Sequence, residues 1–285
     1  MFYGVLVALF SAFTASLREA SRKHVSSDFN SAEIGYITQV YGCVLLLPFT
    51  VWFYLQEGVV WSWRLLAAII ISGGVVASST YIYIEAMRLE DFSLTEPLRQ
   101  TTPIFVAVME PLILGAVFGW TIAAGALLGS VGAYLIVSKN GLAKPLKNIA
   151  NKGALMSVVV AFIFAVWAIV SRFGATNMHP VLFTYATYVA GLVMFGFWKR
   201  RAGFSIETQD YLRKDIFSVG SVTALGAVVG IYAYSLLSAS EVTIIKQTSG
   251  IFSVLIGGRV FQEESIIRKS VGALIIILAV ILVVI

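Results

Sequence analysis

Charge is scarce in this sequence. Asp, Glu, Lys and Arg make up 12% of its 285 residues, about half of the 25% usual for a soluble domain. No polar stretch is long enough to fold as a separate soluble domain, so a globular cytosolic enzyme is excluded. Cysteine is almost absent too: Cys43 stands alone inside an apolar run, which rules out an intrachain disulfide. The two histidines, His24 and His179, belong to no His-Glu-x-x-His and no second ligand cluster, which argues against a metal site. Neither a Gly-x-Ser-x-Gly nor a Walker-type phosphate loop occurs, so the chain is not read as an enzyme or an ATP-driven pump. No cofactor is expected. Strict alternation over about ten residues, the mark of a membrane barrel, is missing as well. Runs such as 65–72 and 271–285 are apolar on every face.

What is present is apolar and aromatic. Hydrophobic residues make up 59%, with 19 Phe, 12 Tyr and 6 Trp, and the mean hydropathy is +0.89. Such a chain is not disordered. A membrane-spanning helix needs roughly 20 mainly apolar residues, and ten can be placed, over 2–19, 32–54, 64–86, 94–114, 121–138, 153–172, 180–198, 215–238, 241–261 and 267–285. The fold class is therefore all-α integral membrane. The first span has no basic segment before it and reads as retained, not as a cleaved signal.

Basic residues sort by loop. Odd-numbered loops and the adjoining helix ends carry Arg18, Arg22, Lys23, Arg88, the lysines of 139–152, the cluster at 199–214, Arg259, Arg268 and Lys269. Even-numbered ones carry only Arg64 and Arg172. Cytoplasmic loops hold the Lys/Arg excess, which predicts cytoplasmic odd loops, both termini outside and residence in the plasma membrane. The net charge of +5 then follows from topology and needs no nucleic-acid partner.

The most informative feature is an internal repeat. At an offset of 149, Gly4, Ala12, Phe13, Tyr36, Thr38 and Gly42 meet Gly153, Ala161, Phe162, Tyr185, Thr187 and Gly191. At 147, Gln100-Thr101-Thr102-Pro103-Ile104-Phe105 meets Gln247-Thr248-Ser249-Gly250-Ile251-Phe252, and Gly125-Ala126-Leu127 meets Gly272-Ala273-Leu274. The chain divides into a first unit at 1–138, a basic linker at 139–152 and a second unit at 153–285. Five spans is an odd number, so the second unit enters the membrane inverted. That is an architecture of secondary transporters.

On these residues the chain resembles the drug/metabolite transporter superfamily, specifically its EamA-like members. The segment from Ala86 to Ser93, followed by Pro97-Leu98 and Thr102-Pro103, is similar to the family's fourth-helix signature. Its glutamate after the ninth helix corresponds to Glu263/Glu264, shortly before Gly272. Two departures stand out: Ala116 and Val117 occupy that glutamate's place in the first repeat, and Thr38/Gln39 stand in the second span where many members carry arginine. The resemblance implies transport, with export of amino acids or related metabolites as the family-level expectation.

A charge at the centre of a span costs at least about 2.5–3.5 kcal/mol, so such residues face a partner or a cavity. Arg99 and Lys246 are repeat equivalents, each followed by Gln-Thr: Gln100-Thr101 and Gln247-Thr248. Two cations beside neutral hydrogen-bonding groups suit a carboxylate or phosphate, Arg as a bidentate fork and Lys as a point charge. Tyr81 and Tyr232 on the third and eighth spans, Trp167 and its repeat equivalent Arg18 complete the expected substrate site. Glu85 and Glu96 either pair with Arg99 as a static lock or form a proton relay. The gathered expectation is a monomeric carrier of a small anionic or zwitterionic metabolite, surrounded by membrane lipid and driven by protons or a counter-substrate. The rivals are a carrier of lipophilic cations and a flippase for a lipid-linked intermediate.

Overall fold

The computed structural model describes residues 1–25, 28–89, 98–117, 119–137, 151–202, 210–252 and 266–284. Every regular element among them is helical. In chain order they are α1 (Phe2–Val25), α2 (Ser31–Glu57), α3 (Trp63–Leu89), α4 (Thr102–Leu114), α5 (Trp120–Val137), α6 (Lys152–Asn177), α7 (Pro180–Ala202), α8 (Lys214–Leu236), α9 (Ala239–Lys246) and α10 (Ile266–Val284). A short 3-10 turn at Asp210–Leu212 precedes α8. Five helices are long and apolar enough to cross a membrane: α1, α2, α6, α7 and α8. Apolar parts of α3, α4, α5 and α10 are shorter.

Local chemistry sets several helix starts. Asn30 caps α2, its side-chain oxygen accepting from the Ala32 and Glu33 amides at 3.0 Å, while the Glu33 carboxylate accepts from the Asn30 amide at 2.8 Å. Ser238 and Glu241 make the same reciprocal box at α9. Each such cap satisfies amides that no helical carbonyl can reach.

Helices pair across the two halves of the chain in a pattern that follows the repeat. The tightest pairings are α5 with α10, α3 with α6, α1 with α8 and α2 with α7. Swapping equivalents turns α1–α8 into α6–α3 and leaves α5–α10 and α2–α7 unchanged. Small residues make these crossings close. A methyl on Gly42 would lie 2.5 Å from the Tyr188 ring, and one on its equivalent Gly191 would lie 2.8 Å from Gln39 Oε1. Gly132 and Gly272 face each other so tightly that a methyl on either would lie 2.7 Å from the other's carbonyl oxygen.

Aromatic pairs repeat as well. Phe13 meets Phe252 edge to face at 5.5 Å, and their equivalents Phe162 and Phe105 meet at 5.9 Å. Trp52, Trp61, Trp63 and Trp120 are exposed near helix ends, where a membrane interface suits them.

One ion-pair cluster ties connecting segments together. Arg213, just before α8, pairs with Asp28 between α1 and α2 at 2.6 Å and with Asp215 at 2.7 Å. The hydrogen bonds it donates to the Asp215 and Asp28 carboxylates hold the guanidinium even further above its usual range.

Candidate functional site

The repeated Gln-Thr marks a change in helix geometry in both halves. At Gln100 and Thr101 the chain tightens into a turn before α4 begins; at Gln247 and Thr248 it does the same after α9 and is helical again over 249–252. The bonds are three-residue bonds and match one for one. The Thr101 and Thr248 amides donate to the Leu98 and Ile245 carbonyls at 3.2 and 3.0 Å, and the Ile104 and Ile251 amides to the Thr101 and Thr248 carbonyls at 3.0 and 2.9 Å. Both threonine hydroxyls turn back on their own helix, donating to Leu98 and Ile245 at 2.7 Å. Pro103 sits in the first turn of α4, where its missing amide costs nothing.

The two turns meet. Gln247 donates its Nε2 to the Gln100 carbonyl at 3.1 Å, and the Ser130 hydroxyl reaches the same carbonyl at 3.2 Å. Gln247 is buried, and among the described residues its Oε1 accepts no hydrogen bond.

Lys246 lies at the end of α9, one residue before this contact. Its ammonium sits over the Trp167 ring at 5.5 Å and the Tyr234 ring at 5.7 Å. Those rings meet edge to face at 5.9 Å. Arg18 on α1 is close enough for its charge to act on Lys246. The first-repeat equivalent, Arg99, lies over Phe164 at 5.8 Å. Phe164 and Trp167 are three residues apart on α6 and so share one face. Both repeat-related cations therefore approach a single aromatic stripe. Beside it, the backbone of Gly230 leaves room: a methyl there would lie 3.2 Å from Ser11 Oγ and 3.5 Å from Lys246 Nζ. Ser11 is buried, and among the described residues its hydroxyl has no partner.

Of the expected residues, the structure brings together Lys246, Trp167, Arg18 and Gln247, with Gln100 and Arg99 alongside. Tyr232 lies apart from this group. It is exposed and lines an outward apolar groove with Tyr3, Leu6, Val7, Phe10 and Val228. Tyr234 is the inward partner, because residues two apart on a helix point some 200° apart. The side chains of Tyr81 and Glu85, and Glu96 with its segment, lie outside the described residues, as do Glu263 and Glu264. Thr101 and Thr248 shape the turns, and their hydroxyl protons are committed to the backbone.

Sequence reasoning passed over Phe164, Ser11 and Glu110, and it left open which of Tyr232 and Tyr234 faces inward. Gly226, Gly230 and Tyr234 recur every four residues, a stripe that marks the inward face of α8. Glu110 is the one acid in the apolar run 102–114, which marks it as costly and therefore partnered. It is buried on α4 and accepts from the first turn of α9.

Comparison with known proteins agrees with this construction. A solved crystal structure only 13% identical superimposes over 99% of this chain and 95% of its own with a TM-score of 0.72, which shows a shared fold. An uncharacterized transporter of Archaeoglobus fulgidus is 22% identical over 201 residues, 70% of this chain and 69% of that protein. The family described as the EamA-like transporter family matches twice, over residues 2–138 and again over 151–285. The protein is a membrane transporter of small molecules that belongs to the EamA-like transporter family.

Proposed function

We propose that this transporter is a secondary carrier of a small anionic or zwitterionic metabolite, such as an amino acid, working by alternating access. Ten spans form two inverted five-helix repeats in the plasma membrane, with odd loops cytoplasmic and both termini outside, and the unit is a monomer. The observation that carries the reading is Lys246 over Trp167 and Tyr234. Burying an ammonium in a span costs at least about 2.5–3.5 kcal/mol, and a cation–π contact returns about 0.5–2 kcal/mol. Among the described residues no carboxylate pairs with Lys246, and the nearby Arg18 adds to the cost. An incoming carboxylate or phosphate supplies the missing partner. Ser11 and the Gln247 amide offer neutral hydrogen bonds beside it.

A second reading, a flippase for a lipid-linked intermediate, is favoured by the apolar groove between α1 and α8 that Tyr3, Phe10 and Tyr232 line. A lipid tail suits that groove while a phosphate meets the cations. A carrier of lipophilic cations gains the aromatic stripe but meets repulsion from Lys246 and Arg18.

The test is thermal unfolding of the purified protein against carboxylates, amino acids, phosphorylated metabolites and lipophilic cations, with Arg99→Gln and Lys246→Gln alongside. A ligand at a hundredfold excess over its Kd stabilises by about 2.7 kcal/mol. Stabilisation by an anion or amino acid that disappears in both variants supports the proposal. A response to lipophilic cations that survives both substitutions overturns it.

A further inference from the structure

Glu110 is a buried acid with no part in the cationic site. It is 3% exposed, and its two oxygens take three donors from the other repeat. Oε1 accepts from the Ala239 amide at 2.6 Å; Oε2 accepts from the Ser240 amide at 2.8 Å and the Ser240 hydroxyl at 2.5 Å. All belong to the first turn of α9, where the helix presents its positive end. An ionised carboxylate accepts every one of these bonds. A protonated one loses its charge and turns one oxygen into a donor, which sets it against an amide or hydroxyl that is itself donating.

The same carboxylate lies where water can reach it. With Ala107, Ile122, Ser238, Ser240 and Glu241 it lines a cavity of about 240 Å³ between the α4–α5 and α8–α9 connections. Glu241 faces this cavity too, and its own carboxylate is held by the Ser238 amide at 2.7 Å. From α8, the Tyr234 phenol lies within electrostatic reach of Glu110. From α6, Arg172 donates to the Tyr234 carbonyl. Among the described residues α5 brings only Ile122 to this cavity.

We infer that Glu110 is a proton-responsive latch between the repeats: ionised, it holds the start of α9 and closes this face of the molecule; protonated from the cavity, it releases α9. One proton passes from cavity water to a Glu110 oxygen, and no covalent bond of the chain is broken. The consequence for transport lies at the far end of the same helix. The eight residues of α9 make a rod about 12 Å long with Glu110's donors at one end and Lys246 at the other. Movement at the latch is thereby delivered to the cationic site. This places proton coupling at Glu110 instead of at Glu85 or Glu96. The inference rests on the alternating-access reading for its meaning, whereas its test needs no substrate, so the two can fail separately.

The experiment uses the full chain in detergent with Cys43→Ser, and spin labels at Val117→Cys and Leu236→Cys, both exposed positions flanking the cavity side. Distances are measured by electron double resonance at about pH 7.5 and at the lowest pH at which the protein stays folded. The native Glu110 protein gains a longer-distance population at the lower pH. Glu110→Gln shows that population at both pH values, and Glu110→Asp restores the pH response. A distance distribution that ignores pH with Glu110 in place overturns the latch. So does a pH response that persists in Glu110→Gln, which assigns the effect to another group such as Glu241.

Discussion

Gln247 donates its side-chain amide to the backbone carbonyl of Gln100, its own counterpart in the other repeat, at 3.1 Å. The carbonyl is open to it because the chain tightens at Gln100-Thr101. Gln247→Ala removes this side-chain donor from the half-buried Gln100 carbonyl. A lost buried hydrogen bond of this kind costs about 1–3 kcal/mol, or several degrees of melting temperature for a chain this size. Thermal unfolding in detergent reads it directly, and an unchanged midpoint would refute the importance of the contact.

The glycine seam gives a pair of opposite expectations. Gly132→Ala places a methyl 2.7 Å from the Gly272 carbonyl, and backbone on both sides leaves no flexible atom to yield. Overpacking of that kind costs about 1–3 kcal/mol. Gly196→Ala on α7 meets nothing within 4 Å and removes a flexible helix residue, which stabilises by up to about 1 kcal/mol. The two melting temperatures should move in opposite directions.

Gly230→Ala should separate binding from folding. The atoms its methyl approaches are Ser11 Oγ and the flexible tip of Lys246, so a stability change under about 1 kcal/mol is expected. The space beside the ammonium is lost, however. A ligand found in the thermal screen should stabilise Gly230→Ala far less than the native protein, and equal stabilisation would place the ligand elsewhere.

The two neighbouring tyrosines of α8 should behave unlike each other. Tyr234 is 1% exposed and Tyr232 is 36% exposed. Tyr234→Ala opens the core against Trp167, at about 3–5 kcal/mol by analogy with other large aromatic truncations. Tyr232→Ala should stay within about 0.5 kcal/mol. Similar losses for both would contradict the inward assignment of Tyr234.

Arg213→Ala tests the one described ion-pair cluster. Its carboxylate partners are partly exposed, so the loss should stay below about 1 kcal/mol and shrink as salt is added. A large, salt-independent loss would mean that the guanidinium chiefly holds its packing over Phe29, 5.2 Å away.

Much of this molecule was legible as pattern. The register Gln-Thr-x-x-Ile-Phe identified the repeat, and both the two turns and the two edge-to-face pairs fall at positions that the repeat equates. Apolar runs of about 20 residues gave the bounds of α2, α3, α5, α8 and α10 to within a few residues. Direction around the helix was harder. Tyr232 and Tyr234 have the same chemistry, and only the packing of Gly226 and Gly230 against α1 decides which turns inward. Glu110 went unread for another reason: its partners are backbone amides of α9, and no side-chain type in the sequence announces them.

The clamp made by Glu110 has no twin. The position equivalent to it in the second repeat is Gly257, which has no carboxylate to offer. A pair of identical subunits would have to hold both membrane faces by the same chemistry, and its two opposed conformations would then be equal in energy. Joining the halves in one polypeptide removes that constraint. On the alternating-access mechanism proposed above, acid at residue 110 and glycine at residue 257 would give the two orientations different energies without disturbing the shared scaffold.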